Sequence, residues 1–70
     1  MMPLALADIG TENLIRKVGG SPEVRRHLEE LGFVAGGTAT GVATMSGNII
    51  VKVKEARVAI SAEMARKIMV

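Results

Sequence analysis

The sequence predicts a mainly β fold: a small, partly closed antiparallel barrel of about five strands, with one α-helix inserted after the first strand and a short helix near the C-terminus. Three observations lead to this prediction. Short segments of alternating or apolar residues are separated by glycine-containing turns. Only residues 22–31 carry the clear spacing of an amphipathic helix. The chain has 70 residues, so residues 1–70 are expected to form a single domain.

The composition limits what can stabilise such a domain. Hydrophobic residues make up 49% of the chain, yet Phe33 is the only aromatic residue and cysteine is absent. The core must therefore be aliphatic, without help from disulfides or thiolate-bound metal. The net charge of +2 is too small to indicate a nucleic acid or an anionic membrane as the partner. No segment approaches the roughly 20 apolar residues of a membrane span, and the apolar N-terminus lacks the basic residues of a signal peptide.

The first strand is predicted over residues 12–18. Its alternation is imperfect, which a bulge or burial on both faces would explain. Before it, Gly10 lies in a turn, and Leu4 and Leu6 are expected to fold onto the core.

The helix has clear signals at both ends. Ser21 is a preferred N-cap residue, and Pro22 is favoured in the first turn. An apolar stripe follows at i, i+4 and i+7, formed by Val24, Leu28 and Leu31. Gly32 then stands where a Schellman motif needs a left-handed residue, and Phe33 can pack back on the last turn.

The second half of the chain predicts a β-hairpin and a third strand. Strands are expected over residues 38–45 and 49–54, joined by a turn at 46–48. The inward residues of the second strand are expected to be Ile49, Val51 and Val53. A further strand over 57–60 precedes a short helix over 62–67, for which Ser61 is the N-cap, and residues 68–70 close the sheet.

Residues 20–36, GSPEVRRHLEELGFVAG, resemble the FeoA family, small cytoplasmic partners of the bacterial ferrous iron permease FeoB. Residues 4–10 are similar to the family's opening, and residues 57–68 to its ending, so the resemblance covers essentially the whole chain. Ala35 differs from the proline that many members carry before the glycine. The resemblance implies an SH3-like barrel, a fold also used as the C-terminal domain of iron-dependent repressors. It also implies a role in FeoB-dependent ferrous iron uptake.

Catalysis and nucleic-acid binding are both disfavoured. The chain has one histidine and no cysteine or tyrosine, and no nucleophile–base set can be assembled, so no catalytic residues are predicted and the chain is not expected to be an enzyme. RNA and single-stranded DNA are usually held by stacking aromatic residues, which are missing. Contact with a membrane is expected only indirectly, through the permease.

Three residues of the predicted helix are candidate metal ligands. Glu23, His27 and Glu30 occupy positions i, i+4 and i+7 on one side of the helix, and their side chains are acceptable ligands for Fe²⁺ or Zn²⁺. The same spacing also describes an ordinary solvated helix flank, and seven residues of helix span about 10 Å. The pattern leaves both interpretations open: weak binding of a divalent metal, or no metal. No cofactor is expected to be required.

Binding of a protein partner is the function that the sequence favours. The predicted contacts are Arg25, Arg26 and Glu29 on the outer helix face, followed by Phe33 and Val34, and two loops near 33–37 and 45–48 are further candidate surfaces. An equal alternative is that the charged residues only keep the helix soluble. From the resemblance, the partner is a FeoB-type GTP-dependent permease and the location is cytoplasmic. The alternative function is a detached regulatory domain of an iron-dependent repressor that senses divalent metal. The oligomeric state is not predicted.

Overall fold

The computed structural model describes residues 1–70. It contains six strands and two α-helices. In chain order these elements are β1 (Glu12–Leu14), β2 (Lys17–Val18), α1 (Pro22–Leu31), β3 (Thr38–Met45), β4 (Asn48–Val53), β5 (Ala56–Ser61), α2 (Ala62–Ala65) and β6 (Ile68–Met69). An antiparallel four-stranded sheet has the order β1-β3-β4-β5, and β2 pairs with β6 in a second sheet. The predicted mainly β architecture with an inserted helix and a short C-terminal helix is confirmed.

The predicted first strand is in fact two strands that belong to different sheets. Between them, the Ile15 N–H donates to the Gly37 carbonyl and the Arg16 N–H donates to the Met69 carbonyl, each at 2.8 Å. The chain therefore changes sheets at these two residues, and this step gives the barrel its partial closure. It also accounts for the imperfect alternation of residues 12–18, because each half faces a different neighbour.

Both α-helices begin with a serine cap, as predicted. The Ser21 hydroxyl accepts a hydrogen bond from the Val24 N–H at 3.3 Å, and the Ser61 hydroxyl accepts one from the Met64 N–H at 3.1 Å. The second helix has a single turn and ends at Ala65, so it is shorter than the predicted 62–67. The reason is that the following residues turn back to pair with the N-terminal half of the chain.

The C-terminus of α1 has the predicted Schellman geometry. Gly32 has a φ of 111°, its N–H donates to the Glu29 carbonyl, and the Phe33 N–H donates to the Leu28 carbonyl at 3.0 Å. The side chain of Lys54 lies against this glycine, with carbon atoms 3.6–3.7 Å from where a Cβ would stand. The cap thus turns the chain sharply from the helix into the core.

The core is aliphatic apart from one phenylalanine. Its eleven buried residues come from both α-helices, from strands β3 to β6 and from connecting segments: Leu4, Ile15, Leu28, Phe33, Ala39, Ile49, Val51, Val53, Ile60, Ala65 and Ile68. The inward orientation predicted for β4 is confirmed. The prediction that Leu6 folds onto the core is wrong, since its side chain is 71% exposed. Residues Leu4–Leu6 form a 3₁₀ turn, in which residues two apart point in different directions.

The β3–β4 hairpin defines the two ends of the barrel. Its turn has two residues, Ser46 and Gly47, with φ values of 49° and 80°, as a type I′ turn requires. This tip lies at one end, and the C-terminus of α1 lies at the other, next to the start of β3 and the end of β4. No helix is long and apolar enough to cross a membrane.

Candidate partner-binding surface

The largest concavity of the molecule is an open groove at the hairpin tip. Three segments that are distant in sequence form it: the 3₁₀ turn, the hairpin tip and the helix α2. We call it the hairpin groove, and it is lined by Ala5, Leu6, residues 44–49, Ala62 and Arg66, with a volume of about 370 Å³. It includes the 45–48 loop that the sequence singled out as a candidate surface.

Large apolar side chains stand exposed around the hairpin groove. Leu6 is 71% exposed and Met45 is 60% exposed. A second cavity of about 90 Å³ adjoins the groove and shares Ala5, Thr44 and Ile49 with it. The half-exposed Ile9 also lines this second cavity. Single exposed apolar residues are ordinary, but several around one concavity are typical of an interaction site.

The chemistry of the hairpin groove suits binding more than reaction. Its polar side chains are Thr44, Ser46, Asn48 and Arg66. None of these is a carboxylate, an imidazole or a thiol, so the groove supplies no general base and no activated nucleophile. Its apolar lining is suited to apolar side chains of a partner, and its single cation to an acidic group beside them.

The helix face predicted as a partner surface is only partly accessible. Arg25, Arg26 and Glu29 are exposed on α1, so their role in binding stays a prediction. Phe33 is 0% exposed and belongs to the core, so placing it on a contact surface is incorrect. The Schellman cap causes this, because it directs the chain inward directly after Gly32. Val34 is half-buried.

The residues predicted as metal ligands lie along α1. Glu23, His27 and Glu30 are all exposed. The chain contains no group of three or more histidine, cysteine, aspartate or glutamate residues placed to hold a metal ion. The helix therefore forms with the predicted spacing but does not gather the three side chains into a ligand set. Weak binding of a divalent ion there stays a prediction.

Proteins described as FeoA are similar to this chain in sequence and in structure. The sequence model of a family described as the FeoA domain matches residues 2–70. The crystal structure of an iron uptake regulatory protein, FeoA, is 27% identical with a TM-score of 0.86, covering 96% of this chain and 89% of that one. The zinc-complexed FeoA of Stenotrophomonas maltophilia, described as an SH3 domain protein, is 25% identical with a TM-score of 0.85, covering 99% and 88%.

A repressor shares the fold as well. A manganese-dependent transcriptional repressor is 19% identical with a TM-score of 0.84, and the match covers 94% of this chain and 38% of the repressor. At this identity the likeness shows the fold alone. Among curated protein sequences none is significantly similar.

Proposed function

This chain belongs to the FeoA family, and we propose that it is a non-catalytic accessory protein of ferrous iron uptake that binds a FeoB-type GTP-dependent permease. The family match across residues 2–70 carries this proposal. The two similar FeoA structures add support, since one is described as an iron uptake regulatory protein and the other in terms of ferrous iron transport activation. We place the protein in the cytoplasm, where the permease exposes its GTP-binding region.

The hairpin groove is the surface we assign to this docking. Apolar side chains from a cytoplasmic segment of the permease would cover Leu6 and Met45, and removing this apolar area from water would drive association. A stable interface buries about 800 Å² on each partner. That is nearly a fifth of the 4419 Å² of surface on this chain, so the contact must extend beyond the groove.

The outer face of α1 is the second candidate surface. Arg25, Arg26 and Glu29 would supply charged contacts at the rim of an interface, where charge affects specificity and association rate more than affinity. A divalent ion bound weakly by Glu23, His27 and Glu30 would change the charge of the same helix. We propose no required cofactor.

A titration followed by NMR tests the proposal. Isotope-labelled protein is mixed with the soluble GTPase region of the matching permease, and separately with the intact permease in lipid nanodiscs, each with and without Fe²⁺. We expect localised shifts at residues 5–9 and 44–49 without a metal requirement. The double variant Leu6→Ser/Met45→Ser should weaken binding by about tenfold or more, whereas Arg25→Glu/Arg26→Glu should have a smaller effect.

The alternative outcomes separate the hypotheses. Shifts confined to residues 21–34 would move the docking surface to the helix. Absence of binding to both forms of the permease would refute the partner. If Fe²⁺ alone then produced specific changes at Glu23, His27 and Glu30, the metal-sensing, repressor-type function would replace it.

A further inference from the structure

The four-stranded sheet ends at β5, and one long side of this strand pairs with no other strand. β5 pairs only with β4. None of the backbone hydrogen bonds made outside the helices and strands involves residues 56–61. An open edge is a template for another strand, so proteins usually shorten it, cover it or block it. This edge is six residues long, which is an average strand length.

The register fixes which backbone groups lie on the open side. Val53 and Ala56 flank a two-residue turn and therefore form a hydrogen-bonded pair. Because such pairs alternate along an antiparallel ladder, the N–H and C=O groups of Arg57 and Ala59 point away from β4. Alternation also places these two side chains on the outer face of the sheet, opposite to the face of the half-buried Val58.

Two cations lie side by side at this edge. Lys52 is directly opposite Arg57, and both are exposed. Their pair is of the non-hydrogen-bonded type, which brings side chains closer, and like charges in this position repel. Across the sheet, Thr40 stands opposite Lys52 and Glu12 stands opposite Thr40. The acidic residue of this row is thus two strands, about 10 Å, from Lys52.

We propose that β5 binds an extended segment of a partner protein by strand addition, and that this segment alternates acidic and apolar residues. An acidic side chain on the added strand would lie beside Arg57 and pair with the two cations, Lys52 and Arg57, that end this row of side chains. Apolar side chains on the other face would extend the row that ends at Val58. A second copy of this chain fits poorly, because it would bring another Lys52 and Arg57 to the same edge. This inference comes from the sheet geometry and does not depend on the proposed permease partner.

The probe is a short fluorescent peptide of alternating glutamate and valine. Two controls are a peptide of alternating lysine and valine, and the glutamate–valine peptide with central prolines, which cannot pair along a strand. Binding is followed by fluorescence polarisation and by amide hydrogen exchange. We expect the glutamate–valine peptide to bind at least about tenfold more tightly than either control. The Arg57 and Ala59 amides, which are open in the free protein, should become protected.

Matched variants separate strand addition from general charge attraction. Lys52→Glu/Arg57→Glu changes the net charge from +2 to −2, and Arg25→Glu/Arg26→Glu makes the same change on α1. The first should weaken peptide binding about tenfold and the second less than about twofold. Ala59→Pro removes one open N–H at an edge that tolerates proline, and it should abolish protection at this site.

Four results would overturn the inference. The first is no protection at Arg57 and Ala59 with millimolar peptide. The second is an equal loss of binding in the two charge variants, which would indicate unspecific attraction. The third is tighter binding of an oligouridylate than of the peptide, which would indicate nucleic acid. The fourth is self-association in sedimentation that Ala59→Pro abolishes, which would make a second copy the occupant.

Discussion

Apolar side chains are buried near one end of the β3–β4 hairpin and exposed near the other. At the end next to α1, the helix cap directs Phe33 into the core and leaves none of it exposed. At the tip, Leu6 and Met45 remain mostly in contact with water. A chain of this size has only a thin core and little stability to spare. The difference indicates that stability depends more on the end next to α1 than on the tip. The apolar surface at the tip therefore stays free for contact with a partner.

The lengths of the covering elements explain the difference. The ten residues of α1 span about 15 Å and cover one end of the barrel. The tip is bordered only by a three-residue 3₁₀ turn and the single turn of α2. These short elements leave Leu6 and Met45 uncovered, so a groove remains.

The largest effect is expected from Phe33→Ala. Truncating this fully buried ring removes its contacts and leaves a cavity, which should lower the free energy of unfolding by about 3–5 kcal/mol. Small domains have only about 5–15 kcal/mol in total. Urea unfolding followed by circular dichroism measures the change. Phe33→Leu retains much of the volume and should lose clearly less; equal losses for both would show that volume is not what matters here.

An intermediate effect is expected from Gly32→Ala at the same end. An added Cβ would meet the nearest Val53 carbon at 3.4 Å, an ordinary contact, so the cost comes from the φ of 111° and not from a clash. We expect a loss of about 1–2 kcal/mol in the free energy of unfolding. Gly19→Ala is the matched control, since its φ is not positive and its closest contact is also 3.4 Å. A comparable loss in both variants would mean that the cap conformation is unimportant.

The smallest effect on stability is expected at the tip. Leu6→Ser should change the free energy of unfolding by less than about 0.5 kcal/mol, because the side chain is already mostly hydrated. Thermal and urea unfolding of this variant, measured beside Phe33→Ala, check it. A loss above about 2 kcal/mol would show that the tip also contributes to folding, and the contrast between the two ends would not hold.

Local patterns were sufficient to predict the elements that local interactions determine. The bounds of α1, both serine caps and the hairpin turn depend on residues within a few positions of each other. The step between sheets at Ile15 and Arg16 depends instead on hydrogen bonds to Gly37 and Met69, far along the chain. The imperfect alternation of residues 12–18 indicated an irregularity in the predicted strand. It did not show that the two halves belong to different sheets.

The candidate site was harder to predict for the same reason. The groove is assembled from residues near positions 6, 45 and 66, and no spacing in the sequence connects them. The loop at 45–48 could be singled out, but the exposure of Leu6 could not, since it depends on a 3₁₀ turn in place of a strand. The spacing of Glu23, His27 and Glu30 was predicted correctly as helical, but helical spacing alone does not bring three ligands to one point.

The closure of the barrel has a consequence for how the chain folds. The Met2 N–H and the Val70 carbonyl are 2.8 Å apart, the reverse pair is 2.7 Å apart, and β6 lies between this pairing and β2. Contacts so distant in sequence close a long loop and slow folding. On the ribosome, the β3–β4–β5 meander can form as soon as it leaves the exit tunnel. The barrel cannot close until residue 70 has emerged, so the nascent domain passes through a stage in which β2 and the N-terminal residues lack their pairing partner β6.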